Sequence, residues 1–176
     1  AATSSSESYS GGTVSAGGKV AIIADGDASQ GSGNVQLAGS KIEGTQGIGI
    51  SATGNVDLQA LQANSSTASD GYNTGLFSQS TDSVGSTVSH QGSSLSSSEG
   101  NVQIGAKGNV DIVGSNITAG QDVVVQGASI NVQAVKDSVA SNDYEKRGRN
   151  EKRLAQTDES ISGGEITAGG GITMVA

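Results

Sequence analysis

The sequence predicts an all-β chain wound as a parallel β-helix, a solenoid with three short strands per coil, and three observations predict it. The first is a recurring phrase, a Gly-Asn pair followed by aliphatic, polar and aliphatic residues. It reads Gly33-Asn34-Val35-Gln36-Leu37, Gly54-Asn55-Val56-Asp57-Leu58, Gly100-Asn101-Val102-Gln103-Ile104 and Gly108-Asn109-Val110-Asp111-Ile112, with a looser copy at Gln121-Asp122-Val123-Val124-Val125. The second is spacing. Aliphatic phrase-starts recur in steps of about 6 to 8 residues, and three steps return the chain to the same phase after about 20, within the range of solenoid repeats. The third is alternation: Val110 and Ile112 against Asn109 and Asp111, or Ile130 and Val132 against Asn131 and Gln133, follow the period of two that puts one set of side chains inside and the other in water.

Taken in chain order, Val14, Val20 and Val35 start the first three strands, and Ile42, Ile48 and Val56 the next three. An excursion of about 64–91, rich in Ser, Thr and Gly, then breaks the rhythm; long insertions are tolerated because loop-closure entropy grows slowly with length. Leu95, Val102 and Val110, then Ile117, Val123 and Ile130, resume it. A second, charged excursion of about 136–160 precedes Ile166 and Ile172. The two excursions follow matching phrases, Val56-Asp57-Leu58-Gln59-Ala60-Leu61 and Ile130-Asn131-Val132-Gln133-Ala134-Val135. They end before the related phrases Gly92-Ser93-Ser94-Leu95-Ser96 and Gly163-Gly164-Glu165-Ile166-Thr167, the latter echoing Gly11-Gly12-Thr13-Val14-Ser15. A larger repeat of about 70 to 80 residues is therefore nested on the smaller one. The excursions are expected as paired strands leaving the coils, with Tyr72, Leu76 and Phe77 able to pack the first of them down. The whole of 1–176 is expected to be one β-helix segment. Because Gly171–Ala176 stop inside a strand phrase, it is expected to be part of a longer chain.

Composition agrees. In 176 residues, 33% hydrophobic but only 2% aromatic, the core must be built from Val, Ile, Leu and Ala in narrow layers. With 28 Gly and no Pro, turns fall to Gly, Asn, Asp and Ser, and nothing interrupts a strand ladder. The absence of Cys excludes disulfides and thiolate metal sites. A net charge of −8 argues against nucleic acid as a partner, since phosphate contacts need a basic surface. No run is long and apolar enough for a transmembrane helix.

The search for chemistry yields no catalytic, cofactor-binding or metal-binding residue, so the chain is not expected to be an enzyme. His90, the single histidine, lies among Ser89, Gln91 and Ser93 with no nucleophile pattern and is expected to be an exposed loop residue. Asp25-Gly26-Asp27 has the flavour of a calcium loop, but neither a helix-loop-helix pattern nor a glycine-rich nonapeptide follows, so a turn is expected. Ala168-Gly169-Gly170-Gly171 lacks the Lys-Ser/Thr ending of a phosphate loop. Asn34, Asn55, Asn101 and Asn109 are expected to stack or bond local backbone at turns. Tyr144–Arg153 carries most of the positive charge. It suits either an anionic surface, such as lipopolysaccharide or a sulfated glycan, or a solvated hairpin with cross-strand ion pairs, the latter favoured. Asp57 and Asp111 occupy equivalent outward positions but lack the aromatic platform of a glycan-cleaving β-helix.

These phrases resemble the haemagglutinin repeats of filamentous haemagglutinin-like exoproteins of the two-partner secretion route. The residues that carry the likeness are Gly54-Asn55-Val56-Asp57-Leu58, Gly114-Ser115-Asn116-Ile117-Thr118-Ala119-Gly120-Gln121-Asp122-Val123, Ile130-Asn131-Val132-Gln133-Ala134 and Ser162–Gly170. The Gly-Ser-x-Ile-x-Ala-Gly-x-Asp-Val run looks especially like the repeat class found in large adhesins and contact-dependent growth-inhibition exoproteins. The resemblance implies a right-handed helix, an outer-membrane two-partner secretion transporter as partner during export, and a place on the exterior of a Gram-negative cell. It implies a structural stalk segment that displays a distal adhesive or toxic activity towards a receptor on a host cell or neighbouring bacterium. It transfers no catalytic residue and no cofactor. The alternatives are a repeat region aiding toxin passage across the target's outer membrane, a glycan-acting enzyme, an outer-membrane barrel lacking its aromatic girdles, and a functional amyloid.

Overall fold

The computed structural model describes residues 1–27, 32–74 and 78–176, and among them every regular element is a strand. After β1 (Ala2–Ser6), the chain makes β2 (Thr13–Ala16), β3 (Lys19–Ala24) and β4 (Val35–Ala38), then β5 (Lys41–Gly44), β6 (Gly47–Ala52) and β7 (Val56–Gln59). Two long strands follow, β8 (Leu61–Asn73) and β9 (Gln79–Gln91). The short strands resume with β10 (Ser94–Ser97), β11 (Asn101–Ala106) and β12 (Asn109–Val113), then β13 (Asn116–Ala119), β14 (Val123–Gln126) and β15 (Ser129–Gln133). A second long pair, β16 (Val135–Arg147) and β17 (Asn150–Ser162), precedes β18 (Ile166–Ala168) and β19 (Ile172–Val175).

The short strands fall into three sheets, β2-β5-β10-β13-β18, β3-β6-β11-β14-β19 and β4-β7-β12-β15, which the chain visits in rotation. All pairings within them are parallel. This arrangement is consistent with a β-helix-like fold. The compact unit that holds it consists of Tyr9–Leu61, Gln91–Val135 and Ser162–Ala176.

Register makes the core. Val14, Ile42, Leu95, Ile117 and Ile166 form one column, Val20, Ile48, Val102, Val123 and Ile172 a second, and Val35, Val56, Val110 and Ile130 a third. Branched residue lies on branched residue, which suits both strand propensity and close packing in a narrow interior. Burial is complete where a column continues on both sides: Val56, Leu58, Val110, Ile112 and Ile117 are fully enclosed, whereas Val14 and Ile172 are about half exposed. Each enclosed side chain contributes about 1.5–3 kcal/mol, and only because a neighbouring coil covers it.

The second unit comprises Ala1–Ser8, Gln62–His90 and Lys136–Ile161, and holds one sheet in the order β1-β8-β9-β16-β17. β1 pairs with β8, and β9 with β16, both antiparallel. β17 is exposed along almost its whole length, so ladder hydrogen bonds rather than a core hold this sheet. Both long excursions are thus paired strands. Tyr72 does not pack down but stands 74% exposed near the end of β8, past Ser69 and Asp70, the last β8 residues that β1 and Ala1 cover. Leu76 and Phe77 lie outside the described residues.

Candidate functional site

The turn asparagines do more than bond local backbone. The Asn34 side-chain carbonyl accepts the Asn55 N–H at 2.7 Å, and Asn55 accepts the Asn109 N–H at 2.9 Å. A second column repeats the device, Asn101 accepting from Asp122 at 3.0 Å and Asp122 from Gly171 at 2.8 Å. Each side chain therefore caps the equivalent turn one coil later, supplying a partner to a donor the short strands leave open. The Ala168–Gly171 run belongs here, since a Cβ on Gly170 would lie 2.3 Å from the Asp122 carboxylate.

A buried serine column runs beside another set of turns. The Ser93 hydroxyl lies 3.0 Å from the carbonyl oxygens of both Leu37 and Gln59 and accepts the Ser40 N–H at 3.1 Å. The Ser93 N–H in turn donates to the Ser115 hydroxyl at 3.1 Å. The fully enclosed Ser115 donates to the Val113 carbonyl. Gly114 precedes it at φ 60°, and a side chain there would collide with Val135 and Ala60. Sequence reasoning missed these serines: a Gly-Ser pair looks like any turn, and only the recurrence of Ser40, Ser93 and Ser115 ahead of Ile42, Leu95 and Ile117 could have flagged them.

On the outer face of the third parallel sheet, Gln36, Asp57, Asp111 and Asn131 stand in register. Asn131 donates to the Asp111 carboxylate at 3.2 Å. Partial burial, and then the Asp111 charge, push the Asp57 carboxyl above its ordinary 3.8. A raised carboxyl beside a second one can exchange a proton; the other two residues in this column, Gln36 and Asn131, are amides. Asp25-Gly26-Asp27 forms a turn: Thr53 bonds both polar backbone groups of Gly26, and Ser32 closes back onto Asp27. Among the described residues no group of three or more His, Cys, Asp or Glu side chains is placed to hold a metal ion.

His90 is not in a loop. It sits in β9, largely enclosed, with Nδ1 2.9 Å from Asp137, whose same oxygen accepts the His90 N–H at 2.8 Å. The β9·β16 register runs from Gln79 opposite Arg147 to Val88 opposite Ser138, so Asp137 takes over just beyond that ladder. The basic segment holds one cross-strand ion pair, Lys146 with Glu151 at 3.2 Å, and one within β16, Arg147 with Glu145 at 2.6 Å, while Arg153 stacks over the Tyr144 ring at 5.3 Å. Lys146 holds the exposed Glu151 carboxyl below the ordinary range, through its hydrogen bond and then its charge. Lys136 and Glu159 form a third pair nearer the root of the same hairpin.

Among the described residues these polar contacts join one coil to the next. Comparison with known proteins identifies the repeat. The profile of a family described as Hemagglutinin repeat matches residues 1–79 and again 71–175. The chain is 29% identical over 119 residues, 60% of its length, to a "Toxin CdiA" of Yersinia pestis and, equally, to a "Deoxyribonuclease CdiA" of Yersinia pseudotuberculosis. It spans 4% and 11% of those two relatives. No solved structure matches it. Among the described residues no helix is long and apolar enough to cross a membrane.

Proposed function

The chain belongs to the hemagglutinin-repeat family, and from that premise we propose that it is a shaft segment of a secreted exoprotein on the exterior of a Gram-negative cell. It winds as one right-handed parallel β-helix over 1–176, with strand hairpins at the two excursions, and holds a distal activity away from the cell. Export runs through an outer-membrane two-partner secretion transporter, and the segment itself is not an enzyme. The observation that carries this is the use made of polar side chains. Asn34, Asn55, Asn101, Ser93 and Ser115 are committed to joining one coil to the next. That is what a load-carrying repeat requires and a catalytic cleft does not.

The test is replacement within a longer exoprotein that contains these residues. Exchanging them for an unrelated β-solenoid of equal length should preserve contact-dependent activity, while deleting them should abolish it without affecting the distal domain assayed free in solution. Failure of the unrelated solenoid would overturn the spacer role. A second role, passage of a toxin across a target cell's outer membrane, is favoured by the names of the two Yersinia relatives. It requires association of this chain with target outer membranes, and a pull-down showing none would leave the spacer role alone.

A further inference from the structure

We propose that the turn end of the β16–β17 hairpin is a docking surface for a layer of anionic lipid headgroups, met end-on through its Lys and Arg side chains. Charge is segregated there. Residues 144–153 hold five of the nine cationic residues, Lys146, Arg147, Arg149, Lys152 and Arg153, against two acids, Glu145 and Glu151. These ten residues therefore carry +3, and since the whole chain carries −8, the other 166 carry −11. Docking of this kind needs neither the spacer role nor toxin passage.

The positive charge is not consumed inside the molecule. Ion pairs engage only Lys146 with Glu151 and Arg147 with Glu145, and exposed pairs of this kind are weak. Arg149 and Lys152 have no ion pair among the described residues, and Arg153 lies over a neutral ring, that of Tyr144. The adjoining strand places no acid opposite the end of β16. Arg147 faces Gln79, Lys146 faces Ser80, and the Gly148 N–H donates to the Ser78 carbonyl.

The distribution of the cations selects the partner. Alternation along the strands puts Lys146 and Arg153 on one face of the hairpin, with Tyr144 and Glu151, and Arg147 and Lys152 on the other, with Arg149 in the turn between. A strand added beside β17, from this chain or another, covers one edge, and a protein groove covers one face. Neither reaches both faces and the apex. A headgroup layer does, because a hairpin entering it end-on meets phosphates on every side, and long cationic side chains hold their charges at that level. Tyr72 suits the same layer. A Cβ on Gly71 would lie 2.6 Å from Thr81 Oγ1, which places exposed Tyr72 level with Ser80 and Lys146 at this end of the sheet. Tyrosine is favoured where one part of a side chain is wet and the other apolar. The acidic remainder of the chain is repelled by an anionic layer, so approach is confined to the hairpin end.

The test mixes the full chain with vesicles of phosphatidylcholine alone, or of phosphatidylcholine with phosphatidylglycerol, and reads the bound fraction by sedimentation. Binding to the anionic vesicles only, weakening as salt rises, is expected. A cation near such a surface is worth about fivefold in partition, so the triple variant Arg147→Gln, Arg149→Gln, Lys152→Gln should bind about 100-fold less tightly. A second triple variant, Lys19→Gln, Lys41→Gln, Lys107→Gln, changes the net charge equally and should bind as the parent does. Arg149→Gln alone, in the exposed turn, gives the same comparison at about fivefold should the first triple variant lose the parent's circular dichroism spectrum. No binding to the anionic vesicles, equal losses in the two triple variants, or capture of the parent by immobilised heparin without vesicle binding would each overturn the proposal.

Discussion

At the scale of single residues, the least expected positions are the buried serines. Replacing Ser93 by Ala removes an acceptor from the Ser40 N–H and the one hydroxyl proton that the Leu37 and Gln59 carbonyls share, at a side chain that is itself buried. The change should cost about 1–3 kcal/mol, the usual penalty for orphaned buried groups, read as a lower urea midpoint at unchanged slope. Asp57 should behave in the opposite way. Its folded-state carboxyl is held above the ordinary 3.8, so the folded chain binds a proton more readily than the unfolded one. Stability from this group therefore falls as pH rises from about that ordinary value through the raised one, then levels off. Asp57→Asn should raise the melting temperature by about 1–3 °C at pH 7, since it removes first the cost of partly burying a charge and then the in-register repulsion from Asp111, with the gain shrinking towards pH 3. An equal gain at both pH values would remove the electrostatic explanation. The two sites also divide what could be read beforehand. Val56, Leu58, Val110 and Ile112 were legible because alternation is local, and all four are fully buried. Ser93 was not, because its partners Ser115 and Leu37 lie 22 and 56 residues away and only the register brings them together.

At the scale of elements, short and long strands answer to different forces. The short ones were legible from phrase spacing, since each carries its own inward pair, as Val102 and Ile104 do in β11. The long ones were legible as departures from that spacing, but not in their pairing, because β9 and β16 meet through backbone that every sequence supplies. His90 shows the consequence. Its neighbours suggest a loop, yet Asp137, 47 residues away, enfolds it at the end of a ladder. A charge placed in the two classes should separate them: Val110→Asp puts an unpaired carboxylate in a fully buried column, whereas Val84→Asp alters a side chain that is 51% exposed. The first should cost more than about 4 kcal/mol and the second less than about 0.5 kcal/mol, as denaturant titration of the two variants would measure. Comparable losses would mean that the long-strand sheet shares the core's cooperativity.

At the scale of the whole molecule, the nested repeat has a counting rule. Each large repeat adds two strands to every sheet: β10 and β13, β11 and β14, β12 and β15 to the parallel ones, β16 and β17 to the antiparallel one. Strands in any sheet are about 4.8 Å apart, so all four sheets lengthen by about 9.6 Å per repeat. The rule has a direct expression in the strands that lead into the hairpins. β7 and β15 are two strand spacings apart in their sheet, and β8 and β16, which follow them in the chain, are two apart in theirs. A duplication of 92–162 keeps these separations equal and should give a chain that melts in one transition, at or above the parent temperature, since every new coil covers its neighbour. A duplication of 92–113 alone adds one strand to each parallel sheet and none to the antiparallel one. β7 and β15 then stand about 14.4 Å apart while β8 and β16 remain about 9.6 Å apart, and the mismatch of one strand spacing falls on the β9·β16 ladder. Amide exchange should report it, with protection retained at Val102 and Val110 but lost from Ser138 to Arg147, the β16 residues of that ladder. Protection of both sets in the single-coil duplication would show that the four sheets need not grow in step.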